Sequence, residues 1–90
     1  MPPRRRTRAG TARTASERLR SQLIDAVRAR VERLGLSQVE AARRLGITAP
    51  RMNLLVHSRA ELFSLDALVE LAERLDLKVS IRVTRPYGVG

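Results

Sequence analysis

Large aliphatic residues recur at helical spacing between positions 19 and 34. Together they form one stripe along a helix, made of Leu19, Leu23, Ile24, Val27, Val31 and Leu34. Thr14 and Glu17, which precede the stripe, have the spacing of a capping box. Gly35, which follows it, suits a left-handed helix end. The pattern therefore predicts one long amphipathic helix with a signal at each end.

Two shorter apolar segments follow and meet at Gly46. Ser37 and Glu40 have capping-box spacing and predict a short helix, which this glycine ends. Thr48 can cap a third helix, which the pattern extends to about His57. The chain is thus predicted to form two short helices in succession.

A fourth helix is predicted after a loop formed by residues 58–61. Ser64 can cap this helix, and Phe63 before the cap can pack on Leu68 as a hydrophobic staple. The predicted apolar side consists of Leu65, Leu68, Val69, Ala72 and Leu75. Helices therefore account for the chain up to about residue 76.

Residues 77–83, LKVSIRV, alternate between apolar and polar side chains without interruption. This period of two predicts a half-buried β-strand. A strand needs a neighbour for its backbone N–H and C=O groups, and the rest of the chain predicts only helix. We therefore expect the strand to pair with its copy in a homodimer. The expected interface residues are Leu77, Val79, Ile81 and Val83.

The second and third helices have the features of a helix-turn-helix unit. Ala42 is small where the two helices must cross closely, and Gly46 suits a tight turn between them. Four apolar residues near this junction can point into one core, namely Leu45, Ile47, Met52 and Leu55. An ordinary helical hairpin would not require the small residue and the turn glycine together. Residues 37–59 therefore predict a helix-turn-helix.

The predicted fold class is all-α, with one exception. It is a compact domain of four to five helices with a helix-turn-helix, plus one C-terminal β-strand that pairs across a homodimer. The helical domain is predicted over residues 14–76 and the dimerisation strand over residues 77–85. Residues 1–13 contain Pro, Gly and Arg but no large apolar side chain after Met1, which predicts a disordered basic arm. Residues 86–90 are expected to be a flexible C-terminus.

Charge is unevenly distributed along the 90 residues, which together carry +9. Residues 1–59 contain fourteen Arg and four acidic residues, a net charge of +10. Residues 60–76 contain one Arg and five acidic residues (net −4), and residues 77–90 contain three basic residues (net +3). One part of the surface therefore suits a polyanion, which favours a nucleic-acid partner. No apolar run approaches membrane-spanning length, so no membrane partner is expected.

The third helix carries the predicted base-reading side chains, because its exposed side can enter the major groove. Arg51 can pair with guanine O6 and N7, and Asn53 with adenine N6 and N7. Ala49 and Leu54 can contact thymine methyl groups, and Gln38 can bind phosphate at the start of the second helix. The residues predicted to bind DNA are Gln38, Thr48, Ala49, Pro50, Arg51, Asn53, Leu54, His57 and Arg59. The predicted phosphate contacts are Arg43, Arg44, Arg4, Arg5 and Arg6.

Three other classes of function fit the sequence less well. The chain contains one His and no Cys, so neither a metal cluster nor a Cys–His catalytic pair can be assembled, and no enzyme activity or cofactor is expected. An RNA-binding module fits the charge, but Phe63 and Tyr87 are the only aromatic residues available for stacking. A protein–protein adaptor would explain the acidic fourth helix but not the basic residues around the third.

Two segments carry a resemblance to a known family. LSQVEAARRLGITAPRMNLL and LFSLDALVELAERLDLKVSIRV resemble the XRE (Cro/C1-type) helix-turn-helix family. Within that family they are most similar to the HigA-like antitoxins of bacterial toxin–antitoxin modules. The resemblance spans roughly residues 19–83. Many relatives have Gln at the position of Ala49, a small polar or acidic residue at Leu54, and Gly at Ser58.

The resemblance implies an intracellular, dimeric repressor that binds its own operator. In many relatives the protein also neutralises a ribonuclease toxin, so the resemblance favours an antitoxin in the bacterial cytoplasm that is associated with the nucleoid. A stand-alone XRE-type regulator without a toxin partner is the alternative. Neither composition nor motif separates these two functions, whereas the neighbouring gene would.

Overall fold

A computed structural model describes residues 14–85, and within this range the chain folds as a compact helical domain. Four α-helices and one short 3₁₀ helix follow one another: α1 (Ala15–Arg33), α2 (Gln38–Leu45), α3 (Ala49–Val56), the 3₁₀ helix (Ala60–Leu62) and α4 (Leu65–Arg74). The predicted all-helical domain with a helix-turn-helix is confirmed.

Each of these α-helices begins at a side-chain cap, as predicted. The Thr14 hydroxyl accepts from the Glu17 N–H at 3.1 Å, and the Glu17 carboxylate accepts from the Thr14 N–H at 2.9 Å. Ser37 and Glu40 form the same reciprocal pair at 3.1 and 2.9 Å. Single caps start the other two helices, from Thr48 for α3 and Ser64 for α4. These caps satisfy N–H groups that have no partner within their helix.

A residue with left-handed backbone geometry follows each α-helix in residues 14–85. Two are glycines, Gly35 with φ 69° and Gly46 with φ 71°, and the others are Ser58 with φ 57° and Asp76 with φ 64°. After α3, the N–H of Ser58 donates to Leu55 O and that of the next residue to Leu54 O, both at 3.0 Å. These paired bonds form a Schellman motif, which satisfies the last carbonyls of the helix.

Two boundaries differ from the sequence prediction. The third helix ends at Val56, and His57 takes the cap position instead of the last helical turn. The segment predicted as a loop contains the 3₁₀ helix Ala60–Leu62. The physical reason is the left-handed Ser58, which reverses the chain and lets Ala60 and Phe63 enter the core.

The core consists of aliphatic side chains from every helix together with Phe63. Its buried members are Ile24, Val27, Ala41, Ala42, Leu45, Met52, Leu55, Ala60, Phe63, Leu68, Leu71, Ala72 and Leu75. Leu71 is 5% exposed and was absent from the predicted apolar side of α4, whereas Val69, which was included, is half-buried. No charged side chain is buried in this part of the chain. The α1 and α4 helices pack together and support the α2–α3 unit.

The segment after α4 belongs to no strand in the single chain described here. Leu77 and Val79 pack half-buried against the core, whereas Ile81 is 56% and Val83 89% exposed. One copy of the chain offers this segment no neighbouring strand, so the predicted β-strand and its pairing across a dimer stay a prediction.

Candidate nucleic-acid interface

The exposed side of α3 brings together four of the residues predicted to bind DNA. Met52 and Leu55, at 1% and 0% exposure, fix the opposite side of the helix in the core. The side that remains exposed carries Ala49, Pro50, Asn53 and His57. A helix held in this way presents these side chains along one continuous stripe.

Two predicted base contacts lie at the edges of α3 rather than in its exposed stripe. Leu54 is half-buried and packs against the core. Arg51 is also half-buried, and its guanidinium carbon lies 4.4 Å from the centre of the Phe63 ring. Arg51 and Asn53 are two positions apart, which places them on roughly opposite sides of a helix with 3.6 residues per turn.

His57 closes the C-terminal end of α3 and is tied to the main chain of Asn53. The distance from His57 Nδ1 to the Asn53 carbonyl oxygen is 2.8 Å, and the His57 backbone N–H donates to the same oxygen at 3.1 Å. A carbonyl oxygen can only accept, so Nδ1 carries the proton and Nε2 is the free acceptor of the ring. Two members of the exposed stripe are therefore linked.

The turn between α2 and α3 is held from outside by α4. Arg74 donates from Nη1 to the carbonyl oxygen of Leu45 at 3.0 Å, and its Nη2 lies 3.6 Å from the Glu70 carboxylate. A Cβ atom added at Gly46 would collide with the Arg74 guanidinium. Gly46 is therefore required both for its left-handed backbone and for the space that Arg74 occupies.

The predicted phosphate contacts surround this unit, and most are exposed. Gln38 is the first residue of α2, where backbone N–H groups face outward, and Arg43 is exposed on the same helix. Arg44 pairs with Asp76 at 3.2 Å, and Arg59 pairs with Glu61 at 2.7 Å. The predicted contacts Arg4, Arg5 and Arg6 lie outside the described residues.

These ion pairs leave both arginines available to phosphate. The hydrogen bond from the Arg59 side chain lowers the pKa of the Glu61 carboxyl, so this carboxylate is charged at neutral pH. Both pairs are solvent-exposed, and pairs of this kind contribute little to stability. A phosphate group can therefore replace the carboxylate at small cost.

Two further arginines position α3 and were not among the predicted site residues. Arg28 donates from Nη1 to the Ser58 hydroxyl at 2.5 Å, and so holds the turn that follows α3. Arg30 donates from Nε to the Leu75 carbonyl at 3.0 Å and joins α1 to the end of α4. Their place on the polar side of α1 was the only sequence signal, and it does not distinguish them from solvated arginines.

Within residues 14–85, no group of three or more His, Cys, Asp or Glu side chains could hold a metal ion. In the same range, no helix is long and apolar enough to cross a membrane.

Two short helices joined by a left-handed glycine, with one exposed polar stripe on the second, define a helix-turn-helix DNA-binding protein. The model of the family described as "Helix-turn-helix domain" matches residues 8–84. A solved structure described as "Putative XRE Family Transcriptional Regulator" is similar, with a TM-score of 0.74 and 33% sequence identity over 83% of this chain and 85% of that chain. No match was found among curated proteins.

The chain therefore belongs to the helix-turn-helix domain family and is a DNA-binding transcriptional regulator of the XRE type. The predicted resemblance to XRE regulators is confirmed at this level. Regulators of this family are generally not enzymes, which agrees with the expectation from the sequence.

Proposed function

We propose that the protein is a repressor that recognises one specific operator sequence in double-stranded DNA as a homodimer. The observation that carries the proposal is the exposed stripe on α3, which stands opposite the buried Met52 and Leu55. Caps at both ends of the helix fix the direction of the stripe. Such a rigid helix surface is what reading of base edges requires.

Each side chain around the stripe has a role that follows from its position. Asn53 is exposed at the centre and pairs with adenine through its amide, while Ala49 contacts a thymine methyl group. Thr48 and Pro50 border the DNA backbone at the start of α3. Gln38 and Arg43 bind phosphates and set the register of the protein on the duplex.

The dimer forms through the C-terminal segment and its apolar side chains. Val83 at 89% exposure and Ile81 at 56% exposure are large apolar groups that a second copy would cover. A two-fold axis places two copies of α3 on one side of the dimer. Palindromic half-sites one helical turn apart require a separation of about 34–36 Å between the two helices.

We further propose that the repressor is the antitoxin of a toxin–antitoxin module. The resemblance to HigA-like antitoxins motivates this role, and the exposed acidic residues Asp66, Glu70 and Glu73 on α4 suit a basic protein such as a small ribonuclease. The stand-alone regulator is the alternative function. Co-expression with the product of the adjacent gene separates them, because an antitoxin forms a stable complex with that product and relieves its growth inhibition.

Titration of operator DNA with the native protein and with Asn53→Ala tests the DNA-binding role. The variant should lose roughly 1–3 kcal/mol of discrimination, confined to one base pair in each half-site. Glu32→Ala, at an exposed position near the end of α1, is the control and should leave binding unchanged. Equal weakening on specific and random DNA would show that Asn53 contacts the backbone.

A further inference from the structure

The segment 77–85 leaves an open apolar groove on the surface of the single chain. The groove has a volume of about 290 Å³ and lies between α1, α4 and the segment itself. Its apolar lining includes Leu19, Leu23, Ala26, Leu65, Val79 and Ile81. Directly beyond it, Val83 is 89% exposed. The groove and the exposed valine are both satisfied if a second copy of the segment lies against the first.

Two-fold symmetry restricts how two copies can pair. In an antiparallel pair, directly opposite side chains lie on the same face of the ribbon. The apolar residues of both copies share a face only if the two-fold axis passes through Val79, Ser80 or Ile81. These three registers place different charges opposite each other, so the sequence can distinguish them.

An axis through Ser80 brings like charges together. Lys78 then lies opposite the partner's Arg82, and symmetry repeats this pair on the other side. Like charges directly opposite each other destabilise a strand pair. This register is therefore unfavourable.

An axis through Val79 shortens the ladder. Only residues 77–81 then have an opposite residue in extended conformation, because the residue before them, Asp76, has left-handed geometry with φ 64°. Val83 extends beyond the partner segment and stays exposed. This register leaves the most exposed apolar side chain uncovered.

An axis through Ile81 avoids both problems. All of residues 77–85 are paired, Lys78 lies opposite the partner's Thr84, and Ser80 lies opposite the partner's Arg82. On the apolar face, Ile81 meets its own copy at the axis, and Val79 lies opposite the partner's Val83. Leu77 is covered by the aliphatic stem of the partner's Arg85.

We propose that two copies pair in the register centred on Ile81, and that the partner's Val83 closes the groove between α1 and α4. This inference rests on the homodimer described under the proposed function and specifies its interface. The dimer is then held by an apolar layer continuous with both cores, because Val79 packs against the core of its own subunit. A two-stranded ribbon without such packing would be marginal.

Single cysteines can locate the axis, because the chain contains no native Cys. Val79→Cys, Ser80→Cys and Ile81→Cys are purified as full-length chains, oxidised, and compared by the rate of disulfide-linked dimer formation. A disulfide requires Cβ atoms about 3.5–4.5 Å apart, which only the residue on the axis achieves with its own copy. Ile81→Cys should cross-link at least about tenfold faster than the other two. Helical content by circular dichroism confirms that each variant is folded.

The failure of the register is distinguishable from the failure of the dimer. Fastest cross-linking at Val79→Cys or Ser80→Cys overturns the register but keeps the dimer. A monomeric mass for the native protein by analytical ultracentrifugation at operator-binding concentrations, with no cross-linking at any position, overturns both.

Reversing one charge gives a second reading of the register. Arg82→Glu faces the partner's Ser80 in the Ile81 register, so the dimer dissociation constant should change by less than about threefold. In the Ser80 register the same change creates two Lys–Glu pairs and would tighten the dimer. Tightening would therefore overturn the proposal, and an unchanged constant supports it.

Discussion

The guanidinium carbon of Arg51 lies 4.4 Å from the centre of the Phe63 ring. Phe63 is 2% exposed, so the cation packs over an aromatic side chain that belongs to the core. The contact joins the edge of the recognition helix α3 to the segment that leads into α4. Arg51 thus has a packing partner in the free protein, and binding to guanine requires it to leave this ring.

Arg51→Ala should therefore have two separate effects. Loss of the contact with Phe63 should lower the free energy of unfolding by about 0.5–1 kcal/mol. Loss of the guanine contact should remove roughly 1–3 kcal/mol of discrimination at one base pair. Urea denaturation measures the first effect and competition binding with base-substituted operators the second. Phe63→Leu is the comparison, since it should destabilise the domain while preserving the base preference. If Arg51→Ala leaves the base preference unchanged, Arg51 serves packing alone.

The two left-handed glycines provide a matched pair of substitutions. Gly35 and Gly46 have φ values of 69° and 71°, but an added Cβ meets nothing within 4 Å at Gly35 and strikes the Arg74 guanidinium at Gly46. Gly35→Ala should destabilise the domain by about 1–2 kcal/mol through backbone strain alone. Gly46→Ala should be more destabilising by a further measurable amount. In an Arg74→Ala background this excess should vanish in urea denaturation, and persistence of the excess would locate the clash elsewhere.

Stability should depend on pH through the capping box of α2. Hydrogen bonds from the backbone N–H and the hydroxyl of Ser37 lower the pKa of the Glu40 carboxyl, and nearby Arg43 lowers it further. A carboxyl whose pKa is lower in the folded state stabilises that state above its unfolded pKa. The contribution is lost as the pH falls through the folded pKa.

Glu40→Gln should therefore be less stable than the native protein at about pH 7 and equally stable at about pH 3. Urea midpoints at the two pH values measure the difference. Glu32→Gln, at an exposed position near the end of α1, is the control and should show no such difference. A constant gap between the native protein and Glu40→Gln at both pH values would contradict the assigned role of the charge.

The basic segment 1–13 should contribute phosphate contacts to the complex. Each contact released with this segment should reduce the slope of log K against log salt by about 0.9. Deletion of residues 1–13 should therefore flatten the slope, while base preference stays the same because α3 is intact. Replacing Arg4, Arg5 and Arg6 by Gln in the full chain tests whether charge alone is responsible. An unchanged slope would show that the segment does not contact DNA.

The helix boundaries could be predicted because their signals are local. Thr14 with Glu17 and Ser37 with Glu40 form caps within three residues of sequence, and Gly35 needs only its own backbone geometry. Ser58 gave no such signal. It adopts φ 57° as a non-glycine residue, supported by a hydrogen bond from Arg28, which is 30 positions away.

Contacts between distant residues could not be predicted from the sequence. Arg74 reaches the Leu45 carbonyl across 29 positions, and Arg30 reaches the Leu75 carbonyl across 45. A backbone acceptor leaves no mark on the residue that carries it. The placement of Arg51 on Phe63 likewise depends on how the α3 edge meets the following segment. The partner of residues 77–83 lies, by our proposal, in a second copy, which no single-chain pattern can contain.

Selection of bound sequences from a random double-stranded DNA library tests the central claim most directly. The purified full-length protein should enrich a palindrome whose half-sites are about 10–10.5 base pairs apart, centre to centre. The same selection with Asn53→Ala should lose preference at one symmetric pair of positions and keep the spacing. A library that shows no enrichment, or an enriched site without two-fold symmetry, would contradict the proposal of a dimeric, sequence-specific repressor.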